Sequence, residues 1–317
     1  MAPPLSTTFG STRPEKRPWT RAITRKTRAW KTSSLNGQAG WTTPSSRVPR
    51  IRRRPKPLRF QRRKWPDPMP NQLTDGLPLA GKVFAVTGGA RGIGAAIVAT
   101  LNARGANAVA FDIDPSAAPA GSESITCDVT DEASVKGAFE SLNAKYGRLD
   151  GIVSNAGIML EKPVADTTLE DFDRVIAVNL RGVFLMAKSA LPYFRTDMPD
   201  ADKPRIVNVA SELGHLGRPE YSAYCASKGG VIALTRALAR EFAPGILVNT
   251  LAPGPTDTDM LRAEKNYDSW VKDGEGIPLG RVATAEEVAL AAAFLCGPDS
   301  RFMTGTIVDV NGGAAMY

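Results

Sequence analysis

The 317-residue chain has few of the residues that build disulfide frameworks and metal sites. It contains three cysteines, Cys127, Cys225 and Cys296, and one histidine, His215. The cysteines are odd in number, far apart and in no CxxC pair, which argues against a disulfide scaffold and a zinc site. We therefore expect no metal site and a reducing, cytoplasmic location.

Long apolar runs are also scarce. The longest, Val288 to Cys296, covers nine residues, about half of the roughly 18 to 20 needed to cross a bilayer. The sequence therefore predicts no membrane partner. With 43% hydrophobic residues, the composition is still that of an ordinary soluble globular protein, and it excludes wholesale disorder.

Excess positive charge is confined to the first fifth of the chain. Residues 1–70 hold 18 of the 40 Lys and Arg but two of the 32 acidic residues, while the remaining 247 residues hold 22 basic and 30 acidic groups. Pro, Arg, Ser and Thr dominate this part, and it shows no apolar periodicity. We predict that residues 1–76 form a disordered basic extension, because such a composition cannot build a core.

Three interpretations of the extension remain open. An Arg-rich, Ser/Thr-rich and acid-poor N-terminus is typical of a transit peptide, which would place the protein in a mitochondrion or plastid. Residues 1–68 are alternatively non-native, translated from upstream of a start at Met69. The least favoured interpretation is an arm that binds nucleic acid through phosphate contacts and its tryptophans. We therefore expect no nucleic-acid partner.

From residue 77 onward, short apolar β-type runs alternate with helical patterns. The strands are predicted over 82–87, 108–111, 124–128, 151–154, 206–210, 246–251 and 306–310. The helices are predicted at 93–104, from an N-cap at Thr130 to a closing Gly147, from a capping box at 168–171, at 224–242 and from a second box at 284–287. This alternation predicts one domain over 77–317: an α/β fold with a single doubly wound, Rossmann-like parallel sheet of seven strands flanked by helices.

A glycine-rich turn, Thr87–Gly94 (TGGARGIG), joins the first strand to the first helix. Glycines let the backbone approach a pyrophosphate, and a helix N-terminus offers free N–H groups and a positive dipole. The spacing is GxxxGxG and not the general GxGxxG. Its place in the first βα unit nevertheless predicts a dinucleotide site, with contacts from Gly88, Arg91, Gly92, Ile93 and Gly94.

The cofactor preference is predicted from the end of the second strand. There Asp112 lies 18 residues beyond Gly94, where a carboxylate accepts hydrogen bonds from ribose hydroxyls and repels a 2′-phosphate. Arg91 is a counter-signal, because its guanidinium could pair with that phosphate. We give Asp112 more weight, so NAD is the expected cofactor and NADP is less favoured.

A phenol and an ammonium, Tyr224 and Lys228, lie four residues apart and so on one face of a predicted helix. A nearby cation favours the phenolate and should lower the pKa of the tyrosine toward neutrality, as acid–base catalysis requires. Ser211 ends the fifth strand, and Asn155 to Gly157 follow the fourth. All of these residues are therefore expected at the carboxyl edge of the sheet, where open α/β folds bind ligands.

Taken together, these motifs resemble the short-chain dehydrogenase/reductase family, over nearly all of residues 77–317. The matching segments are Thr87–Gly94, Cys127-Asp128-Val129, Asn155-Ala156-Gly157, Val178-Asn179, Ser211, Tyr224–Lys228 and Pro253-Gly254. The resemblance implies a catalytic tetrad. Tyr224 would be the general acid/base, Lys228 would hold the nicotinamide ribose, Ser211 would bind the substrate oxygen, and Asn179 would anchor a water next to Lys228.

The resemblance also implies further cofactor contacts. Asp128 and Val129 would flank the adenine, and Asn155, Ala156 and Gly157 would lie along the cofactor. After Pro253 and Gly254, Thr258 would reach the carboxamide. The family usually has an aliphatic residue where this chain has Thr256, a departure that bears on the same contact.

We therefore predict an NAD-dependent oxidoreductase that interconverts a small secondary alcohol and a ketone. The alternative is a non-catalytic NAD(H)-binding or sensing protein on the same fold. The segment 255–279 is predicted to be a helical lid over the substrate. The resemblance implies a homo-oligomer, most commonly a tetramer.

Overall fold

The computed structural model describes residues 77–265, 267, 268, 274 and 276–316. The predicted basic extension over 1–76 lies outside the described residues, and the predicted lid over 255–279 is described only in part.

Seven parallel strands form one sheet in the order β3-β2-β1-β4-β5-β6-β7. Their bounds are β1 Val83–Thr87, β2 Asn107–Asp112, β3 Glu123–Thr126, β4 Gly151–Ser154, β5 Arg205–Val209, β6 Leu247–Pro253 and β7 Ile307–Val310. The chain runs outward from β1 to β3 and then returns to place β4 on the other side of β1. This reversal opens a crevice at the carboxyl ends of β1 and β4. The predicted fold class is confirmed.

The helices that connect the strands cover both faces of the sheet. In the described part of the chain they are α1 Gly92–Ala103, α2 Glu132–Tyr146, α3 Leu169–Ile176, α4 Gly182–Ala190, α5 Leu213–Leu216, α6 Ser222–Phe242, α7 Asp259–Arg262 and α8 Ala285–Cys296. Short 3-10 turns lie at Pro115–Ala117, Leu191–Tyr193 and Pro298–Ser300. A π-helical turn, Ala177–Arg181, joins α3 to α4.

Both predicted capping boxes are present. At the start of α3, the Thr168 hydroxyl accepts from the Asp171 N–H at 3.0 Å and the Asp171 carboxylate accepts from the Thr168 N–H at 3.4 Å. Thr284 and Glu287 make the same exchange at the start of α8. Each box satisfies two backbone donors that a helix start would otherwise leave unpaired.

The predicted cap of α2 is wrong by one residue. Asp131, and not Thr130, caps the helix, by accepting from the Ala133 N–H at 3.0 Å. Thr130 donates both its N–H and its hydroxyl to Asp128, at 2.8 and 2.7 Å. This local turn holds Thr130 outside the helix. The predicted C-terminal glycine, Gly147, does end α2 in the left-handed conformation, with φ +64°.

Two apolar cores lie on opposite faces of the sheet. Residues of β1 alternate between them: Val83 and Ala85 face one core, and Phe84 and Val86 face the other. The first core packs under α2, α4 and α6, and the second under α1 and α8. Because both faces are covered, most strand residues are apolar and buried, although Asn208, Asn249 and Thr250 are buried polar residues within β5 and β6.

One helical run is long and apolar enough to cross a membrane by length and composition. It covers Leu169–Tyr193, 25 residues; its most apolar 18-residue stretch has a mean hydropathy of 1.3 and is 44% buried. Arg181 and Lys188 interrupt it, so it contains no long unbroken apolar run. Its buried Leu185 and Met186 pack in the first core. A core helix of an α/β domain passes the same test, so this is weak support for a membrane span, and the absence of a membrane partner stays a prediction.

Candidate active site

The glycine-rich turn leaves the start of α1 open. Gly88 and Gly92 have φ values of +63° and +53°, which side chains rarely adopt. A Cβ added to Gly94 would overlap the carbonyl oxygen of Gly88, so strand, turn and helix come together at van der Waals distance. Arg91 at the N-cap makes no side-chain cap. The first N–H groups of α1 are therefore free to bind an anion, and this turn fits a pyrophosphate.

Thr87 and Asn155 lock the turn to the end of β4. The Thr87 hydroxyl accepts from the N–H groups of Asn155 and Ala156, at 2.9 and 3.0 Å. In return, the Asn155 side-chain amide donates to the carbonyls of Thr87 and Gly88, at 3.0 and 3.3 Å. Asn155 thus fixes the shape of the predicted cofactor site through backbone contacts. Thr87 is a positioning residue that the sequence did not single out.

Asp112, buried at 6% exposure, fixes the same turn from the other side. Its carboxylate accepts from the N–H groups of Ala90, at 3.1 Å, and Asp114, at 3.2 Å. The exposed Arg91 lies near enough to Asp114 to help lower the pKa of that carboxyl, after its hydrogen bonds to Ser116. The carboxylates of Asp112 and Asp114 therefore lie at the end of β2, and the Arg91 guanidinium of the turn is close to Asp114.

Asp128 and Val129 lie beyond the end of β3, at the same edge of the sheet. The Asp128 carboxylate holds the turn into α2, and its backbone N–H donates to the Ser134 hydroxyl at 2.9 Å. Val129 is 7% exposed and lies against Gly182 of α4, where an added Cβ would be 3.0 Å from it. Both side chains have structural contacts of their own. Their contact with an adenine stays a prediction.

The four predicted catalytic residues come from three elements and meet at the carboxyl edge. Ser211 follows β5, Tyr224 and Lys228 lie on α6, and Asn179 lies in the π-helical turn. All four are buried, with at most 8% exposure. The Lys228 ammonium donates to the Val209 carbonyl at 2.9 Å and lies 5.7 Å from the centre of the Tyr224 ring. The expected alignment on one helix face is therefore present.

Asn179 joins the loop after β4 to the catalytic helix. Its side chain accepts from the Ile158 N–H at 2.8 Å and donates to the Ile158 carbonyl at 2.9 Å and to the Ser227 hydroxyl at 3.1 Å. Ser227 in turn donates to the Tyr224 carbonyl at 2.7 Å. A Cβ added to Gly157 would lie 3.4 Å from Asn179 Oδ1 and 3.5 Å from Lys228 Nζ. This shows how closely that loop approaches the tetrad.

The π-helical turn explains how Asn179 reaches this position. Single turns of this kind are rare and often lie at functional sites. Neither the turn nor the partners Ile158 and Ser227 has a signal in the sequence, because Ser227 is 48 residues away from Asn179. The predicted water at Asn179 stays a prediction.

The expected lowering of the Tyr224 pKa by Lys228 is not what the structure gives. Burial raises the pKa of Tyr224 to about 12, and the hydrogen bond with Ser211 lowers it only in part. Burial also lowers the pKa of Lys228 to about 8. The reason is that both ions lose hydration in the same dry site. At neutral pH the site therefore presents a protonated phenol, which is suited to donate a proton to a carbonyl oxygen.

The segment after β6 brings two threonines to the site. Pro253 ends β6. The buried Thr256 side chain binds within its own loop, because its hydroxyl donates to the Gly254 carbonyl at 3.0 Å. The Thr258 hydroxyl donates to the Thr256 carbonyl at 3.2 Å. The Thr258 methyl lies 3.4 Å from the position of a Cβ on Gly92. Thr258 thus borders the glycine-rich turn, whereas Thr256 stabilises the loop.

Glu212, which the sequence analysis did not single out, is buried next to Ser211. It is 4% exposed, and its Oε2 atom has no hydrogen-bond partner among the described residues. Burial raises the pKa of Glu212 to about 7, with Arg218 opposing the shift. The charge of Glu212 is also one of the smaller causes that raise the pKa of Tyr224. A charged residue directly after the strand-end serine is the signal that could have found it.

A cluster of three polar side chains joins the predicted lid to the loop before α6: Glu264, Tyr221 and Arg218. The Glu264 carboxylate accepts from the Tyr221 hydroxyl at 2.9 Å and from Arg218 Nη1 at 3.1 Å. The Arg218 guanidinium also lies over the Tyr221 ring, 4.6 Å from its centre. Among the described residues of 255–279, α7 covers Asp259–Arg262. In the described part of the predicted lid, the helix α7 is therefore four residues long.

Comparison with known proteins gives the family. The family model described as "Enoyl-(Acyl carrier protein) reductase" matches residues 88–315. The 3-oxoacyl-[acyl-carrier-protein] reductase of Escherichia coli is 36% identical over 244 residues, which cover 74% of this chain and 98% of that protein. The D-threitol dehydrogenase of Mycolicibacterium smegmatis is 35% identical over 248 residues, 74% of this chain and 93% of that protein.

A solved structure gives the same result. The 3-ketoacyl-(acyl-carrier-protein) reductase from Brucella melitensis, crystallised in complex with NADH, has a TM-score of 0.69 and 34% identity, and covers 75% of this chain and 99% of that one. The chain belongs to the short-chain dehydrogenase/reductase family. It is therefore an oxidoreductase of the class that uses nicotinamide cofactors.

Proposed function

We propose that the protein is an NAD-dependent oxidoreductase that interconverts a secondary alcohol and a ketone. The observation that carries the proposal is the buried Tyr224–Lys228 pair with Ser211, next to the open N-terminus of α1. NAD supplies the hydride acceptor or, when reduced, the donor. Ser211 positions the substrate oxygen, and Tyr224 gives or takes its proton. Lys228 holds the phenol and the cofactor ribose in place.

The preference for NAD over NADP is supported by the charges at the end of β2. The Asp112 carboxylate is held rigidly by two backbone N–H groups, so it cannot turn away from a 2′-phosphate without losing them. Asp114 adds a second negative charge, and Arg91 lies near it. The NADH in the Brucella melitensis structure points the same way.

The test of the activity is absorbance at about 340 nm, the band of reduced nicotinamide. The panel follows the relatives: 3-hydroxyacyl thioesters, polyols such as threitol, and simple secondary alcohols. Tyr224→Phe should lower turnover by about 10²- to 10⁴-fold and leave NADH binding intact. Tyr193→Phe is the matched control, because it removes a phenol that stacks on Phe139 in the first core and should keep full turnover.

The result also decides between the enzyme and the non-catalytic alternative. Turnover that Tyr224→Phe abolishes supports the enzyme. NADH binding without turnover on any panel class, or turnover that survives in Tyr224→Phe, contradicts the proposal and favours the NAD(H)-sensing protein.

The cofactor preference has a test of its own. Asp112→Asn keeps an oxygen that can accept from Ala90 and Asp114 but removes the charge, whereas Asp112→Ser removes both. If charge sets the preference, both variants should raise kcat/KM for NADP relative to NAD by at least about tenfold, which corresponds to about 1.4 kcal/mol. A ratio unchanged in both variants would show that Asp112 only shapes the turn.

We also propose a homo-oligomer, with a tetramer as the expected form, in the cytoplasm. Apolar side chains of the α3–α4 run support assembly, because Leu169 and Phe184 are 83% and 48% exposed. Light scattering on the purified chain tests this, and Phe184→Glu should shift the mass toward the monomer. Cell fractionation tests the location: an organellar protein that has lost the extension would contradict the cytoplasmic proposal.

A further inference from the structure

A cavity lies at the amino edge of the sheet, opposite the catalytic edge. It has a volume of about 110 Å³, and its lining includes three cations and two carboxylates: Lys82, Lys203, Arg205, Asp150 and Asp202. Arg205 begins β5, Lys82 directly precedes β1, and the two strands flank β4. We call this the basal cavity. Neither the tetrad nor the glycine-rich turn contributes to its lining.

Arg205 is the unusual residue of the basal cavity. It is 2% exposed, and its Nη2 atom donates to the carbonyls of Asp200, Ala201 and Gly297 at 3.3 to 3.4 Å. Its Nη1 atom is buried without a hydrogen-bond partner among the described residues, and none of their carboxylates forms an ion pair with it. Burial lowers the pKa of Arg205. A buried cation with an unused donor is costly unless something compensates for it.

The charges around the cavity compensate for Arg205 only in part. Lys82 binds Asp202 at 2.7 Å and Asp150 at 3.5 Å, Arg148 binds Asp150 at 2.6 Å, and Lys203 binds Asp200. Asp150 also accepts from the Val83 N–H at 2.9 Å. Four cations thus face three carboxylates in this part of the chain. The charges of Asp202 and Asp200 attract Arg205, but each of these carboxylates has a closer cation, Lys82 and Lys203 respectively. The positive charge of Arg205 is therefore compensated only in part.

Capping of α8 explains only part of this arrangement. The Gly297 carbonyl lies directly beyond the carboxyl end of α8, where a cation is favourable. That contact uses Nη2 and accounts neither for the unpaired Nη1 nor for the cavity that Arg205 lines. Water could also occupy the cavity and accept a hydrogen bond from Nη1. Water would bring no negative charge to the site.

We propose that the basal cavity is a binding site for a small oxyanion of the phosphate type. The anion receives a charge-assisted hydrogen bond from Arg205 Nη1, and the nearby ammonium groups of Lys82 and Lys203 add to the positive field. This site is separate from the phosphate-binding turn of the proposed cofactor site, and it does not depend on that function.

The location of the anion can be tested with crystals of the full-length protein soaked in selenate, a tetrahedral oxyanion with an anomalous signal. The proposal predicts an anomalous peak within hydrogen-bond distance of Arg205 Nη1. A peak at the glycine-rich turn alone, or ordered water at Nη1 with no anomalous peak, would overturn it. Because the map shows position, binding at the turn cannot be mistaken for binding in the basal cavity.

Solution measurements remove the effect of crystal concentrations. Thermal unfolding is followed against sodium phosphate, with sodium chloride at equal ionic strength as the reference. Lys203→Met should weaken the apparent phosphate affinity severalfold. Lys188→Met is the matched control: it removes one positive charge from α4, at an ion pair with Glu132, and should leave the affinity unchanged. The basic extension is common to all variants, so their difference reports the cavity.

Arg205→Lys is the more demanding variant, because it keeps the charge but loses the guanidinium fork. It should lower the phosphate-specific stabilisation more than Lys203→Met does. Should this buried substitution prevent folding, Lys203→Met and the selenate map still decide. Equal stabilisation by phosphate and chloride in the wild type, or equal affinities in the Lys203 and Lys188 variants, would contradict the site.

Discussion

The two halves of the candidate active site are built by different means. On the cofactor side, at the ends of β1 and β4, backbone groups carry the geometry: Gly88 and Gly94 pack without side chains, and Thr87 and Asn155 bind main-chain atoms. On the catalytic side, buried side chains with displaced pKa values carry the chemistry, above all Tyr224 and Lys228. The first half depends on shape, and the second depends on charge.

The difference follows from what each half has to bind. Phosphate groups are well held by free N–H groups and the dipole of a helix, which require close approach of the backbone and therefore glycine. Proton transfer requires titratable groups in a water-poor site, where their interactions are strong and their pKa values shift. Added volume should therefore damage the first half, and a change of charge without a change of volume should damage the second.

The largest effect is expected from Gly94→Ala. The new Cβ would overlap the carbonyl oxygen of Gly88 and lie 2.6 Å from the Asn155 amide nitrogen. Backbone cannot yield as a flexible side chain does, so we expect either no folded protein or loss of measurable dinucleotide binding. Fluorescence titration with NADH, after circular dichroism has established folding, measures the outcome.

Gly137→Ala is the matched control for this change. Gly137 lies within α2, where a Cβ would meet no atom within 4 Å. Because alanine is favoured over glycine in a helix by about 1 kcal/mol, this variant should be slightly more stable and bind NADH normally. If Gly94→Ala behaved like Gly137→Ala, close backbone packing would not be what shapes the cofactor half.

Asn179→Ala should have the next largest effect. It would remove the fully buried partner of the N–H and carbonyl of Ile158, which is itself half-buried. An unpaired buried group costs about 1 to 3 kcal/mol, and the half-buried Ile158 should be at the low end, so unfolding in urea should show a loss of about 2 kcal/mol for the two groups. Turnover should fall as well, because the loop after β4 no longer holds its place against Lys228.

Thr235→Ala separates a positioning role from a loss of stability. Thr235 is also buried, and it accepts from the Asn208 amide at 3.0 Å in the sheet below the site. This variant should lose stability but keep the kcat of the wild type where both are folded. An Asn179 variant that lost stability with unchanged kcat would limit Asn179 to a structural role.

The site residues predicted from the sequence agree best with the structure where they belong to short local motifs. The glycine-rich turn, the strand-end Ser211 and the Tyr224–Lys228 pair were predicted because each depends on neighbours within eight residues. The contacts of Thr87, Ser227 and Glu212 were not, since they join residues brought together only by the sheet order and the π-helical turn. The predicted direction of the Tyr224 pKa shift was wrong, because the sequence shows that a cation is nearby but does not show how deeply the phenol is buried.

The smallest effect, and the one most specific to charge, is expected from Glu212→Gln. The folded-state pKa of Glu212 is about 7, raised from an ordinary value of 4.5 by burial. The neutral carboxyl therefore contributes stability that is present below about pH 4.5 and is lost as the pH rises through 7. A shift of that size corresponds to at most about 3 kcal/mol.

Thermal unfolding at pH 5 and pH 8.5 tests this. Gln keeps the volume and removes the charge, so Glu212→Gln should match the wild type at pH 5 and exceed its Tm at pH 8.5. Glu287→Gln is the control of opposite sign: hydrogen bonds from Arg281 and Thr284 hold the pKa of Glu287 at about 2, so its loss should lower Tm at both pH values. Equal effects of Glu212→Gln at the two pH values would mean that Glu212 is not a buried acid of the folded state, and the contrast between the two halves would then rest on Tyr224 and Lys228 alone.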